Sequence, residues 1–108
     1  TVADNILYLN VYAGLAVGGY NTATTGQVLN CTFRNNTFYL NNSLFDGSGE
    51  IFITKASDCI FENNIFYTNS QNLLYSITPI TPQANNKINY NCWFTTAKNA
   101  QKASPKVL

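Results

Sequence analysis

The chain contains no histidine, and only 10% of its 108 residues are charged, against about a quarter in an average globular protein. The first absence, together with the lack of any Cys-x-x-Cys pair, removes the usual zinc ligand sets. The second leaves a net charge of +1 with no basic cluster. That excludes nucleic acid as a partner, because phosphate neutralisation needs several Lys or Arg on one face. No apolar run approaches the roughly 18 residues of a membrane-spanning helix. Neither sustained helical periodicity with caps nor a signal-peptide pattern is present. A chain of this length is at most one domain.

What is present is a repeat. Asn30-Cys31-Thr32-Phe33-Arg34-Asn35-Asn36-Thr37-Phe38-Tyr39-Leu40-Asn41 returns as Asp58-Cys59-Ile60-Phe61-Glu62-Asn63-Asn64-Ile65-Phe66-Tyr67-Thr68-Asn69, identical at seven of twelve positions. Fainter copies of the segment that opens on Asn36 and Asn64 are Asn5-Ile6-Leu7-Tyr8 upstream and Asn91-Cys92-Trp93-Phe94 downstream. A period of roughly 28 residues marks a solenoid, in which each unit buries its apolar face only against its neighbours. With Asn5, Asn36, Asn64 and Asn91 as origins, four coils are expected.

Alternation of side chains along a strand sorts the repeat positions. Cys31, Phe33 and Phe38 fall on an inward face with Cys59, Phe61, Phe66, Ile88, Leu7 and Trp93, stacking on equivalents about 4.8 Å away. Strands disfavour Asn, so the ladder asparagines belong at a bend, where Asn tolerates left-handed backbone geometry and bonds nearby backbone groups. Stacked Asn side chains can then form a hydrogen-bonded ladder. Gly14–Gly19, Glu50–Lys55 and Leu73–Ile77 supply a further strand per coil, giving three strands per turn paired in parallel with the next coil.

The Asn-Asn bends at Asn35-Asn36 and Asn63-Asn64, the stacked Phe and Cys residues and the near-equal turn lengths resemble the right-handed parallel β-helix of the pectate-lyase-like group. The resemblance covers residues 1–94 and leaves 95–108 as a C-terminal tail. It implies an all-β solenoid that binds or acts on polysaccharide, as a lyase or glycoside hydrolase, from a secreted or cell-surface protein. Ca2+ is the cofactor it brings with it, although the usual calcium-and-arginine set of pectate lyases is absent, as are the clustered aspartates of polygalacturonases. A groove would be lined by Glu50–Lys55, the preceding loop and Gly14–Tyr20. Asp46, Glu50 and Lys55 are the catalytic candidates there, with Asp58 nearby. The two carboxylates are the only close acidic pair for glycoside hydrolysis. Asp46-Gly47 is also a turn dipeptide.

Tyr8, Tyr39, Tyr67 and Phe94 follow the ladder asparagines by three residues and form an outward aromatic stripe. An exposed apolar stripe marks an interaction surface, either a sugar platform in which Tyr39, Tyr67 and Tyr20 bind substrate or a contact with another chain. The alternative to a carbohydrate-active protein is a non-catalytic structural or adhesive module, assembling through this stripe or through open ends. The chain begins within a coil, on Asn5-Ile6-Leu7-Tyr8, and lacks a polar cap. The expectation is therefore a segment of a longer β-helix or self-association.

Cys31 and Cys59 occupy equivalent inward positions at a spacing that suits either a disulfide or a thiol stack; Cys92 lies at a different position. Arg34 and Glu62 are equivalent outward residues, placed for a surface ion pair. Asn30, Asn35 and Asn41 each head an Asn-x-Ser/Thr triplet.

Overall fold

The computed structural model describes residues 1–19, 26–44, 46–68, 75–77 and 85–95. Among these the protein is all-β, with thirteen strands of two to four residues and no helix. The first repeat supplies β1 (Val2–Ala3), β2 (Ile6–Tyr8) and β3 (Leu15–Val17). The second supplies β4 (Val28–Leu29), β5 (Thr32–Arg34), β6 (Thr37–Tyr39) and β7 (Ile51–Ile53). Then come β8 (Ala56–Ser57), β9 (Ile60–Glu62), β10 (Ile65–Thr68) and β11 (Tyr75–Ile77), and finally β12 (Lys87–Asn89) and β13 (Cys92–Thr95). Strands this short gain their order by pairing across repeats, since ordinary strands run about 5–6 residues.

Every pairing is parallel and joins equivalent positions of neighbouring repeats. The sheets run β1-β5-β9-β12, β2-β6-β10-β13 and β3-β7-β11, in the register that the echo predicts: Phe33 pairs with Phe61 and Phe38 with Phe66. A fourth sheet, β4-β8, was not anticipated from the sequence. All four sheets contribute to one core of Val17, Phe33, Phe38, Ile51, Ile53, Ala56, Cys59, Phe61 and Phe66. Its rings stack nearly flat, with centroids 4.6 Å apart for Phe33–Phe61, 4.7 Å for Phe38–Phe66 and 4.3 Å for Phe66–Trp93.

The corners between strands are built from residue pairs. The first member takes a positive φ, between 51° and 61° in Asp4, Asn35, Asn63, Tyr90, Leu9, Leu40, Asn30, Asp58 and Asn85. The second member carries the ladder. The left-handed residue is thus the one before each ladder asparagine, which corrects the expectation that the ladder residue itself bends. The division of labour is physical: a left-handed residue turns the chain, and its successor can then aim a side chain along the stack.

Asn36 shows the result. Its Oδ1 accepts hydrogen bonds from the Asn5 N–H (3.1 Å) and Asn5 Nδ2 (3.0 Å). Its N–H donates to Asn64 Oδ1, and its Nδ2 donates to Asn64 Oδ1 and to the Val2 carbonyl, all at 3.0 Å. Its carbonyl accepts from the Ile65 N–H at 2.9 Å. Every polar atom of this buried residue is therefore bonded, as burial requires. Asn64 repeats the pattern with Asn91 and the Phe33 carbonyl.

A second ladder runs through Asn10 and Asn41, where Asn41 Oδ1 accepts from the Asn10 N–H (3.1 Å) and Nδ2 (2.7 Å). At a third corner, Cys31 and Cys59 occupy the ladder position, and Asn86 Oδ1 accepts from the Cys59 N–H at 3.1 Å. All three cysteines are free thiols, so the Cys31–Cys59 column is a thiol stack. Cys31 Sγ donates to the Leu29 carbonyl (3.4 Å) and Cys59 Sγ to the Ser57 carbonyl (3.3 Å). Arg34 and Glu62 are register neighbours in β5 and β9, but they form no ion pair. Tyr20, Asn69, Leu73–Leu74 and the tail 96–108 lie outside the described residues.

Candidate functional site

The expected outward stripe is present on sheet β2-β6-β10-β13. Register places Tyr8, Tyr39, Tyr67 and Phe94 in one column and Ile6, Thr37, Ile65 and Cys92 in a second. Alternation explains both: the inward residues Leu7, Phe38, Phe66 and Trp93 lie between them along each strand. None of the eight outward residues is charged. Tyr8 is 60% exposed, Ile6 72%, Phe94 51% and Ile65 49%. The second column was missed at the sequence level, although Ile6/Tyr8 and Ile65/Tyr67 carried its signal in plain alternation.

The aromatic column is stacked on itself. Tyr39 and Tyr67 have centroids 4.9 Å apart at 35°, and Tyr67 and Phe94 have centroids 4.7 Å apart at 31°. Tyr39, Tyr67 and Phe94 thus lie ring against tilted ring, with Tyr8 ahead of them in the same column. Leu9, Val11, Tyr12 and Leu44 are also exposed, at and beyond the corner that follows Tyr8. The Leu44 N–H donates to the Val11 carbonyl (3.0 Å) and the Asn42 N–H to the Tyr12 carbonyl (2.8 Å), holding the two segments together.

The polar candidates are dispersed. Glu50 was expected to line an outer groove, but it is completely buried. Its Oε1 accepts from the Asn41 N–H at 3.0 Å, and its Oε2 accepts from that N–H (3.1 Å) and from Asn41 Nδ2 (2.6 Å). It thus gives Asn41 the acceptor that a further ladder asparagine would otherwise provide. Gly14 closes over this pair: its N–H donates to the Glu50 carbonyl at 2.9 Å, and a Cβ there would meet Asn41 Nδ2 at 2.7 Å.

Asp46 is exposed and forms a tight turn, in which its Oδ1 accepts from the Ser48 hydroxyl (2.6 Å) and the Ser48 N–H (2.9 Å). These bonds, the hydroxyl foremost, hold its carboxyl below the ordinary aspartate range. Asp46 and Glu50 therefore share no face: one is in a solvated turn and the other is inside the ladder. The Lys55 backbone joins two neighbours, donating from its N–H to the Val17 carbonyl (3.3 Å) and accepting from the Val28 N–H (3.0 Å). Asp58 stands exposed at a corner and accepts from Asn85 Nδ2 at 3.0 Å.

Among the described residues, no three His, Cys, Asp or Glu side chains group as a metal site, and no helix is long and apolar enough to cross a membrane. Of the three Asn-x-Ser/Thr asparagines, Asn30 and Asn35 are exposed and Asn41 is buried in the second ladder. Compared with family models, curated proteins and solved structures, the chain matches none.

Proposed function

We propose that the chain is a section of a right-handed parallel β-helix of about four coils, belonging to a secreted or cell-surface protein. In this reading it serves as a non-catalytic interaction module. Support for the helix comes from the all-parallel pairing between repeats and the single core shared by four sheets. The observation that carries the function is the outward face of β2-β6-β10-β13: eight uncharged residues in two columns, with Ile6, Tyr8, Ile65 and Phe94 each about half exposed or more. An exposed apolar face of this kind is characteristic of a contact surface.

The geometry favours binding over catalysis. A glycosidase needs two carboxyl groups flanking one bond, whereas Asp46 and Glu50 are held apart by their own hydrogen bonds. Polysaccharide is the second reading. It is favoured by the phenol hydroxyls of Tyr8, Tyr39 and Tyr67 in one column and by the exposed ring of Tyr8 at its head. The test is the double variant Tyr39→Ser plus Tyr67→Ser. Self-association by sedimentation, and co-sedimentation with a panel of uronic-acid and neutral polysaccharides, should show a loss in one assay. A folded double variant unchanged in both would remove the face from the functional account.

A further inference from the structure

We infer that the occupant of this face is a second copy of the same chain, docked about a two-fold axis parallel to the stacking direction. The inference rests on reading the face as an interaction surface, and it names the partner from the shape of the two columns. One column is tall, with three tyrosines and a phenylalanine. The other is short, with isoleucine, threonine and cysteine. They lie two residues apart along each strand, or roughly 6.6 Å at strand rise.

When two such faces meet, only certain symmetries let the columns interlock. A two-fold axis along the stacking direction reverses the strands across the interface. Each tall aromatic column then lies over the partner's short column, and ridge enters trough along the whole height. A two-fold axis along the strand direction would set tall column on tall column and hold the sheets apart. The first arrangement is isologous and closed, so it stops at a dimer.

Charge and chemistry select the same occupant. With no charge among the eight outward residues, a copy meets no like-charge repulsion, and an ionic ligand finds nothing to pair with. Between Tyr39, Tyr67 and Phe94 the ring faces that a sugar would need are already turned to one another at 4.7–4.9 Å, which leaves Tyr8 alone to offer one. By side-chain length the aromatic column stands above the column of isoleucine, threonine and cysteine, so the longer rings of one copy can enter over the shorter side chains of the other. The exposed parts of Ile6, Tyr8, Tyr39, Ile65 and Phe94 amount to on the order of 600 Å², given 150–250 Å² for a whole aromatic side chain. That is the greater part of the roughly 800 Å² per partner of a standard interface.

The test uses the 108-residue chain. Sedimentation from micromolar to millimolar concentration should show a monomer–dimer equilibrium, shifted at least tenfold toward monomer by Ile65→Arg and by Ile6→Arg. Circular dichroism of both variants checks that the fold is retained. In a Cys92→Ser background, Thr37→Cys and Tyr39→Cys chains are mixed in a glutathione redox buffer. The mixed pair should cross-link and Tyr39→Cys alone should not. A wild-type chain that stays monomeric overturns self-docking, and if Tyr39→Ser plus Tyr67→Ser still abolishes polysaccharide binding, the interaction reading survives without it. A dimer indifferent to both arginine variants, or one cross-linked through Tyr39→Cys alone, overturns the proposed arrangement.

Discussion

The side-chain oxygen of Asn64 accepts two hydrogen bonds from Asn36, one from its backbone N–H and one from its Nδ2, both at 3.0 Å. Asn64→Ala removes that acceptor and the donor to the Phe33 carbonyl. Orphaned buried groups cost about 1–3 kcal/mol each, so a loss of roughly 2–4 kcal/mol is expected in urea unfolding. Asn35→Gly, at the exposed left-handed position before Asn36, should stay within about 1 kcal/mol of wild type, because glycine adopts positive φ without penalty. Equal losses for the two variants would refute the division between turning and laddering residues.

Glu50→Gln replaces an acceptor with a group that is half donor, facing a residue that presents only donors to it. The Asn41 N–H and Nδ2 both point at the carboxylate. We expect a stability loss of about 1–3 kcal/mol, read as a lower urea midpoint with an unchanged slope.

Gly18→Ala should be among the most damaging small substitutions. Gly18 has a φ of +98°, and an added Cβ would lie 2.6 Å from the Lys55 nitrogen and 2.7 Å from its oxygen. Both are backbone atoms and cannot step aside. Gly26→Ala, with nothing within 4 Å, is the matched control and should leave the melting temperature nearly unchanged.

Tyr90 takes the left-handed corner position with a φ of 55°, although it is a bulky residue and 82% exposed. Left-handed geometry costs an ordinary residue about 1–2 kcal/mol. Tyr90→Asn, which installs the residue used at Asn35 and Asn63, should therefore raise stability by up to about 1 kcal/mol, seen as a higher thermal midpoint.

Asp46 sets the sign of a pH effect. The Ser48 hydroxyl and N–H hold its carboxyl below the ordinary aspartate range. A group with a lowered native pKa contributes stability that is complete above its unfolded pKa and is lost as pH falls through the lowered one. The turn should thus persist at neutral pH and weaken only on strong acidification. Carbon NMR titration should find the Asp46 midpoint below the ordinary range, and Ser48→Ala should move it back up.

The inward and outward sorting of the repeat was legible in the sequence because it depends on strand alternation alone. Phe33, Phe38, Phe61 and Phe66 could be placed by counting from Asn36 and Asn64. The second ladder was less visible, although the echo itself ends on Asn41 and Asn69. Two asparagines so close together look alike until it is known that a left-handed residue precedes each ladder member. Leu9 and Leu40 conceal that at the second corner, since leucine carries no turn signal. Glu50 was placed in a groove because the β-helix resemblance implies one along Glu50–Lys55. Its burial follows from the Asn41 donors, which come from a corner nine positions earlier.

The corner pairs also have a consequence for how such a chain can change its length. The spacing between successive ladder asparagines shrinks from Asn5–Asn36 to Asn36–Asn64 to Asn64–Asn91, yet the paired strands keep one register throughout. Register is restarted at every corner by two adjacent residues, so an error of spacing in one loop is not passed to the next level. Segments between corners are therefore free to lengthen, shorten or be exchanged. New chemistry can be grafted there without re-tuning the rest of the stack.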